Sequence, residues 1–234
     1  MIHLDDKTHL LVLTGAGISA ESGVPTFRDA NGLWQNHRFE DLASPEGFAA
    51  DPLLVWKFYS QRRRGLDGVT PNSAHRALVD VEQKLGDRFL LVTQNVDGLH
   101  AAAGSQRIVE MHGNIMRTKC GGCRRAPFAD RASHDTLPPC DECGALLRPD
   151  IVWFGESIPP AALRAIEVFL QHPNVVFLAV GTSGVVYPAA GIVDVVKRAG
   201  GTTWLVNAER PANVSRFDHV EIGPAGTVLP ALFA

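Results

Sequence analysis

The chain has 234 residues, which is enough for one large α/β domain or for a main domain with a smaller insert. Hydrophobic residues make up 45% of it, charged residues 20%, and the formal net charge is −3, so the composition gives no general argument for binding nucleic acid or a membrane. No apolar stretch approaches the ~18 residues of a membrane span, and residues 1–7 are too polar and too short for a targeting peptide. We expect a cytoplasmic protein.

Apolar runs that end in small polar clusters predict buried parallel strands. The first lies in His9–Ser19 and ends at a glycine turn, and the others are Phe89–Thr93, Val175–Val180 and Thr203–Asn207. Helical patterns lie between them, as at Ser73–Leu85 and Pro188–Ala199. The predicted fold is α/β, with a doubly wound, parallel, Rossmann-like sheet. Ligands bind such sheets at the carboxyl ends of the strands, so the polar clusters should meet in one crevice.

Two segments do not follow this alternation. Residues 34–68 are rich in aromatic residues and arginine with helical spacing, and residues 117–149 contain all four cysteines. We interpret them as a helical insertion and a zinc-ribbon insertion that pack together as a smaller domain. The Rossmann-like domain then comprises residues 1–33, 69–116 and 150–234. The cleft between the two domains is the natural substrate site.

The cysteines have the spacing C-x₂-C-x₁₆-C-x₂-C and are Cys120, Cys123, Cys140 and Cys143. Four thiolates at this spacing can close a tetrahedral shell around Zn²⁺ and leave no position for water or substrate, which predicts one structural zinc ion. The alternatives are two disulfides or four unrelated thiols. Reduced thiols that hold zinc suit the cytoplasm better than structural disulfides.

The first predicted strand leads into a nucleotide-binding pattern. Gly15, Gly17 and Ala20 satisfy G-x-G-x-x-A, in which backbone N–H groups at a helix start can hold a pyrophosphate. A glycine-rich turn without a ligand is the alternative. An ordinary dehydrogenase has a second strand with an acidic residue about twenty residues later, whereas residues 24–36 form a polar loop here. A lid of this kind suits an enzyme that consumes the dinucleotide.

Several motifs then carry a specific resemblance. GAGISAESGVPTFRDANGLW, TQNVDGLH, EMHGN, the four cysteines, IVWFGE, GTSGVVYPA and VNAE occur in the order found in sirtuins, the NAD-dependent protein lysine deacylases. The resemblance runs from Leu10 to about Pro230. It implies that an acyl-lysine oxygen attacks the nicotinamide ribose of NAD, and that nicotinamide, free lysine and 2′-O-acyl-ADP-ribose are released.

The resemblance assigns roles to individual residues. His112 in EMHGN matches the catalytic base, and Asn95 and Asp97 match catalytic residues around the nicotinamide ribose. His75, by contrast, is expected to be structural. The implied NAD contacts are Gly15, Ala16, Gly17, Ser19, Phe27, Arg28, Trp34, Gln94, Asn95, Asp97, Gly181, Thr182, Ser183, Asn207, Glu209 and Ala225.

The acyl group is indicated by Tyr59 and Arg62, which lie one helical turn apart. They resemble the tyrosine and arginine that bind the acyl carboxylate in the sirtuins that remove succinyl and malonyl groups, and Ala43 aligns with a small residue that widens the acyl pocket. The alternative is a core tyrosine beside a solvated basic run. The segment Val152–Glu156 resembles the strand that pairs with the substrate backbone, and its implied contacts are Val152, Phe154, Gly155 and Glu156.

Other functions compete with this interpretation. A plain lysine deacetylase, a protein ADP-ribosyltransferase and a catalytically silent NAD sensor would share most of the motifs. A nucleic-acid module built on the zinc ribbon is disfavoured because the chain carries no basic stripe. We expect acylated proteins as partners, no nucleic acid or membrane, and a monomer.

Overall fold

The computed structural model describes residues 1–25, 33–182 and 191–233. Its strands are β1 (His9–Thr14), β2 (Leu33–Trp34), β3 (His37–Arg38), β4 (Phe89–Thr93), β5 (Ile108–Glu110), β6 (Gly113–Cys120), β7 (Phe128–Ala129), β8 (Leu147–Ile151), β9 (Val175–Val180), β10 (Thr202–Asn207) and β11 (His219–Ile222). Its helices are α1 (Phe39–Leu42), α2 (Pro45–Ala50), α3 (Pro52–Arg64), α4 (Ser73–Leu85), α5 (Leu99–Ala103), α6 (Pro160–Phe169), α7 (Ile192–Arg198) and α8 (Ala225–Leu232). None of these helices is long and apolar enough to cross a bilayer.

The main sheet has the strand order β11-β10-β9-β1-β4-β5, and every pair in it is parallel. The chain builds outward from β1 through β4 to β5, and later returns to the other side of β1 with β9. The order therefore reverses between β1 and β9, where a doubly wound sheet forms its ligand crevice. The predicted α/β class is confirmed, and the sheet gains two edge strands, β5 and β11, that the sequence did not predict.

Both faces of this sheet are covered, because its strands are apolar on both sides. Leu10 and Val12 of β1 point into one core with α4 and α8, whereas Leu11 and Leu13 point into the other core with α6 and α7. The alternation follows from the two-residue repeat of a strand. Burial on both faces explains why the strands are continuous apolar runs.

The smaller module combines α1–α3 with the antiparallel sheet β7-β6-β8. Trp56 of α3 is fully buried, and its indole Nε1 donates a hydrogen bond to the carbonyl oxygen of Leu147 in β8, 3.0 Å away. The rings of Trp56 and His134 also pack together, with 4.5 Å between their centroids. These contacts join the helical segment to the cysteine-containing segment, although the two are far apart in the chain.

Arg63 fastens the same two segments. Its side chain is only 1% exposed, and its guanidinium donates to the carbonyl oxygens of Ile115, Arg117 and Ala132 and to the side chains of Thr118 and Asp130, at 2.8–3.1 Å. These bonds use the five N–H donors that a guanidinium has. Burial of this charge is compensated by hydrogen bonding and by the Asp130 carboxylate.

Candidate active site

Three glycines bring two strand ends into backbone contact at the switch point. The N–H of Gly15, after β1, donates to the carbonyl oxygen of Val180, and the N–H of Gly17 donates to that of Gly181, after β9. A Cβ on Gly17 would lie 2.7 Å from Gly181 Cα, and Gly181 has a φ of +60°. Side chains are excluded from this contact, so the glycine pattern has a structural cause in addition to any ligand.

The turn after β1 continues into a 3₁₀ helix, Ala16–Ser22. Its N-cap, Gly15, provides no side-chain capping bond, and its first turn contains no acidic residue. The N–H groups of Gly15, Gly17 and Ile18 already donate to the carbonyl oxygens of Val180, Gly181 and Gly15, and the peptide dipoles at the start of the segment favour an anion nearby. This chemistry fits a pyrophosphate at the carboxyl edge of the sheet.

Polar side chains that follow β4 meet this turn. The amide Nδ2 of Asn95 donates to the carbonyl oxygen of Gly15 at 3.1 Å and to Ser19 Oγ at 3.2 Å. Ser19 Oγ donates to Asp97 Oδ2 at 2.8 Å, and the N–H of Leu99 donates to Asp97 Oδ1 at 2.9 Å. Desolvation nevertheless raises the pKa of Asp97 above its ordinary value. Ser19, Asn95 and Asp97 thus form one connected group.

His112 lies between β5 and β6, at the edge of the same crevice. Its Nδ1 is 3.0 Å from the carbonyl oxygen of Gln94. A carbonyl can only accept, so Nδ1 carries the proton and Nε2 keeps its lone pair. Burial lowers the pKa of His112, and the Gln94 carbonyl opposes that shift. The imidazole is therefore neutral at pH 7 and able to accept a proton at Nε2.

The remaining predicted NAD contacts lie at the ends of β9 and β10 and at the start of α8, or outside the described residues. Thr182 Oγ1 donates to Gln94 Oε1 at 3.1 Å, which joins the ends of β9 and β4. Asn207 ends β10, Glu209 is exposed just beyond it, and Ala225 is buried at the start of α8. Phe27, Arg28 and Ser183 lie outside the described residues.

Trp34 is placed on the helical segment. Its indole Nε1 donates to Gln61 Oε1 at 2.8 Å, and its ring packs edge-on against Phe58 of α3. The predicted NAD contact at Trp34 is thus held by side chains of α3.

A buried polar network lies beneath the strand ends. Thr14 Oγ1 bonds Thr93 Oγ1 at 2.8 Å and His100 Nε2 at 2.9 Å, and the N–H of Asn95 donates to Thr93 Oγ1. His75 packs against His100, with 4.7 Å between ring centroids. Burial lowers the pKa of His75 to about 4 and that of His100 to about 3, so both rings are neutral. His75 also belongs to the N-terminal capping box of α4, in keeping with the predicted structural role.

The residues predicted to bind the acyl group meet on the other side of the crevice. Tyr59 is 3% exposed and belongs to a core cluster with Phe39, Phe58 and Trp153, against which Ala43 also packs. Arg62 lies 5.5 Å from the centroid of the Phe58 ring and 5.9 Å from that of Phe39. The structure brings Ala43, Tyr59 and Arg62 together.

The three consecutive arginines of α3 have different environments. Arg62 is half-buried, and desolvation lowers its pKa while Tyr59 and Asp97 oppose that shift. Arg63 is buried and joins α3 to the cysteine-containing segment, as described above. Arg64 is exposed and donates to Ser133 Oγ. A solvated basic run therefore describes Arg64 alone.

The segment Val152–Glu156 contains a turn at Phe154 and Gly155 and belongs to no strand of the described sheets, and its pairing with a substrate backbone stays a prediction. The N–H of Val152 donates to the carbonyl oxygen of His112, and that of Phe154 donates to the carbonyl oxygen of Ala43. Gly155, with a φ of +84°, allows the turn. Phe154 is 52% exposed, whereas the carboxylate of Glu156 is engaged by Arg148 at 2.6 and 2.9 Å. The segment connects the catalytic side of the crevice to the acyl side.

The four cysteines converge at the end of β6. Their Sγ atoms all lie within 4.8 Å of one another, with 3.5 Å between Cys120 and Cys143 and 3.9 Å between Cys123 and Cys140. A tetrahedral shell with Zn–S bonds of about 2.3 Å places sulfurs about 3.8 Å apart, so the cluster fits zinc. The N–H groups of Cys123 and Gly122 donate to Cys120 Sγ and lower its pKa, which favours the thiolate that a metal binds.

A family comparison decides the identity. The model of the Sir2 family matches residues 15–188 of this chain. The chain belongs to the Sir2 family. The resemblance to sirtuins drawn from the motifs is confirmed.

Similar proteins, two curated relatives and one solved structure, support this family assignment. The NAD-dependent protein deacylase of Thermococcus kodakarensis is 47% identical over 229 residues, which cover 95% of this chain and 88% of the relative. That of Salmonella typhimurium is 46% identical over 231 residues, covering 96% and 82%. The crystal structure of a Sir2 homologue in complex with NAD has a TM-score of 0.89 at 40% identity and covers 99% of this chain and 93% of that one.

Sequence reasoning missed two residues that support this Sir2 site. Trp153 is 2% exposed and its indole Nε1 donates to the Tyr59 hydroxyl, while Arg148 lies against the face of the same indole. The only signal in the sequence was the position of the tryptophan inside IVWFGE. Its partner is 94 residues away, and no periodicity reaches that distance.

Proposed function

We propose that the protein, an NAD-dependent protein deacylase of the Sir2 family, accepts lysine acyl groups that end in a carboxylate, such as succinyl and malonyl, as well as acetyl. The observation that carries this proposal is the juxtaposition of Tyr59 and Arg62 on one face of α3, beside the small Ala43. An acetyl group has no charge for Arg62 to meet.

NAD binding is assigned to the switch point. The turn at Gly15, Ala16 and Gly17 is the proposed pyrophosphate site, supported by the dipole at the start of its 3₁₀ segment and by the absence of an acidic residue in the first turn. Ser19, Gln94 and Thr182 supply uncharged polar groups, and the remaining proposed contacts are Asn207 and Glu209 at and beyond the end of β10 and Ala225 at the start of α8. Trp34, Phe27, Arg28 and Ser183 complete the proposed contact set.

His112 is the proposed general base. Nδ1 is held by the Gln94 carbonyl, so Nε2 accepts a proton from a ribose hydroxyl of the bound NAD. Asn95 and Asp97 are the proposed catalytic partners at the same ribose. Their link through Ser19 fixes the Asn95 amide, which can hydrogen-bond the dinucleotide without neutralising a developing positive charge.

The acyl carboxylate is assigned to Arg62 and Tyr59. A guanidinium can bind a carboxylate through two parallel hydrogen bonds, and these charge-assisted bonds are stronger when partly desolvated. Arg62 is half-buried against two phenylalanine rings, which limits its hydration. Val152, Phe154, Gly155 and Glu156 form the proposed substrate segment, in which the exposed Phe154 faces solvent.

The zinc ion, when bound by Cys120, Cys123, Cys140 and Cys143, supplies structure and no chemistry, because its four positions are all filled by protein. We assign the Rossmann-like domain to residues 1–33, 69–116 and 150–234, with the insertions at 34–68 and 117–149. A monomer that acts in the cytoplasm on acylated proteins, without binding nucleic acid or membrane, completes the proposal. Free thiols at a metal site suit a reducing compartment.

The decisive experiment compares kcat/KM on acetyl-, malonyl-, succinyl- and glutaryl-lysine versions of one peptide for the natural enzyme and for Arg62→Met. Removing one partner of a buried charge pair costs about 2–5 kcal/mol, or tens- to thousands-fold, so succinyl-lysine efficiency should fall by that factor, largely through KM. Acetyl-lysine efficiency should change little.

The exposed Arg64 of the same helix provides the matched control. Arg64→Met removes the same charge from α3 and should leave both substrates unaffected. An equal loss on succinyl- and acetyl-lysine in Arg62→Met would make Arg62 structural and leave a plain deacetylase.

A further inference from the structure

The hydroxyl of Tyr59 has an unusual hydrogen-bond partner. Trp153 Nε1 donates to the Tyr59 oxygen over 3.0 Å, and the two side chains are 2% and 3% exposed. The donor comes from the Val152–Glu156 turn and the acceptor from α3. The bond thus joins the substrate segment directly to the proposed acyl site.

The chemistry of the two groups fixes the direction of this bond. An indole N–H can only donate, whereas a phenol can donate its hydrogen and accept at its oxygen. Because Trp153 occupies the oxygen as an acceptor, the hydroxyl hydrogen of Tyr59 must point elsewhere. Within residues 1–25, 33–182 and 191–233, no acceptor lies within hydrogen-bond distance of it.

The indole is itself held in place. The guanidinium carbon of Arg148 lies 3.3 Å from the centroid of the Trp153 ring, and its nitrogens bind both oxygens of Glu156. Glu156 Oε2 also accepts the backbone N–H of Trp153 at 2.8 Å. The bidentate pair therefore fixes both the backbone and the ring plane of Trp153, and with them the direction of its N–H.

We propose that Trp153 is a positioning residue that turns the Tyr59 hydroxyl into a hydrogen-bond donor for the acyl carboxylate that Arg62 binds. This inference rests on the proposed function and extends the set of residues that determine specificity. Arg148 and Glu156 act one step further away, because they hold the indole. The acyl preference is thus determined by a chain of side chains that starts in the substrate turn.

The protonated phenol is consistent with this role. Burial raises the pKa of Tyr59 to about 12, although Arg62 opposes the shift, so the hydroxyl keeps its hydrogen at neutral pH. A phenolate in this place would repel the acyl carboxylate.

The test is a double-mutant cycle on Trp153→Phe and Tyr59→Phe, read as the ratio of kcat/KM on succinyl-lysine to that on acetyl-lysine. One net hydrogen bond contributes about 0.5–1.5 kcal/mol, so each single variant should lower the ratio by roughly two- to tenfold through KM. In the Tyr59→Phe background, Trp153→Phe should cause no further loss, because both changes remove the same donor to the substrate.

Phe48→Leu is the matched packing control. Phe48 contacts the same indole, with 5.2 Å between ring centroids, and makes no part of the hydrogen-bonded chain. It should lower the melting temperature and leave the ratio unchanged. If Trp153→Phe does not fold, β-(3-benzothienyl)alanine at position 153 replaces the N–H by sulfur at nearly constant shape and gives the same readout.

The outcomes separate this inference from the proposed function. A ratio that falls in Arg62→Met but is unchanged in Trp153→Phe overturns the role of Trp153 alone. Additive losses in the double variant, or an equal loss on both substrates, would also overturn it. A ratio unchanged in Arg62→Met contradicts the proposed acyl specificity itself.

Discussion

The two sides of the crevice are built in different ways. On the catalytic side, His112, Gln94 and Asn95 follow strands of one parallel sheet and are positioned mainly by bonds to backbone carbonyls. On the acyl side, Tyr59 and Arg62 come from a helix and are positioned by side chains from other segments. The catalytic side therefore depends on the sheet, and the acyl side on contacts within the smaller module.

The two sides should therefore respond differently to substitutions that destabilise the smaller module. Backbone positions in the sheet persist as long as the sheet is folded, because many bonds hold each strand. The acyl side depends on α3, which is bonded through Trp56 and Arg63 to the antiparallel sheet β7-β6-β8 that carries Cys120. Perturbing the sheet β7-β6-β8 should therefore weaken acyl-peptide binding more than it weakens NAD binding.

Removal of the metal ligands should have the largest effect. Structural zinc sites in small peptides bind with about 10–16 kcal/mol, which is available as folding free energy. We expect Cys120→Ala to lower both thermal stability and deacylation, with KM for the acyl peptide rising more than the Kd for NAD. Elemental analysis of the natural protein should give about one zinc per chain, from the four-ligand count. A zinc-free protein with full activity would contradict the ribbon.

Loss of the base is the next largest effect. General-base catalysis typically contributes ~10²–10⁴-fold, so His112→Ala should lose deacylation by that factor and retain NAD binding, measured by calorimetry. His172→Ala is the matched control, because His172 is exposed and precedes the amino end of β9, whereas His112 follows the carboxyl end of β5. Near-normal turnover in His112→Ala would contradict the assignment of His112 as the general base.

The pH dependence should have a defined sign. The base acts in its neutral form, and burial lowers the pKa of His112 below 6.5. The kcat/KM should be maximal at neutral pH and should fall only as the pH drops through the lowered pKa of His112. A kcat/KM profile with its acidic limb above pH 6.5 would show that another group titrates.

The last prediction concerns Arg63, which joins α3 to the sheet β7-β6-β8. Breaking a buried ion pair costs about 3–5 kcal/mol, so Arg63→Leu should lower the free energy of unfolding by that amount, measured in denaturant. The exposed neighbour offers the control, since Arg64→Leu should change it by less than about 0.5 kcal/mol. Equal effects in the two variants would mean that the contacts of Arg63 do not hold the module.

Parts of the fold followed from the sequence to the residue. Phe89–Thr93, Val175–Val180 and Ser73–Leu85 have the predicted bounds, because continuous apolar runs and a helical repeat end at clear polar or glycine signals. The edge strands Ile108–Glu110 and His219–Ile222 were missed. They are short and partly exposed, and only pairing with a neighbour makes them strands.

The sequence by itself determined the nucleotide-binding sheet, the four-cysteine cluster and the residues that follow each strand. These features depend on local spacing, which the chain carries directly. Only the tertiary structure decided that the chain turns at Phe154 and Gly155, that the three consecutive arginines of α3 have different environments, and that Trp153 meets Tyr59. The physical reason is that burial and the direction of a hydrogen bond depend on partners far away in the chain, and packing alone selects them.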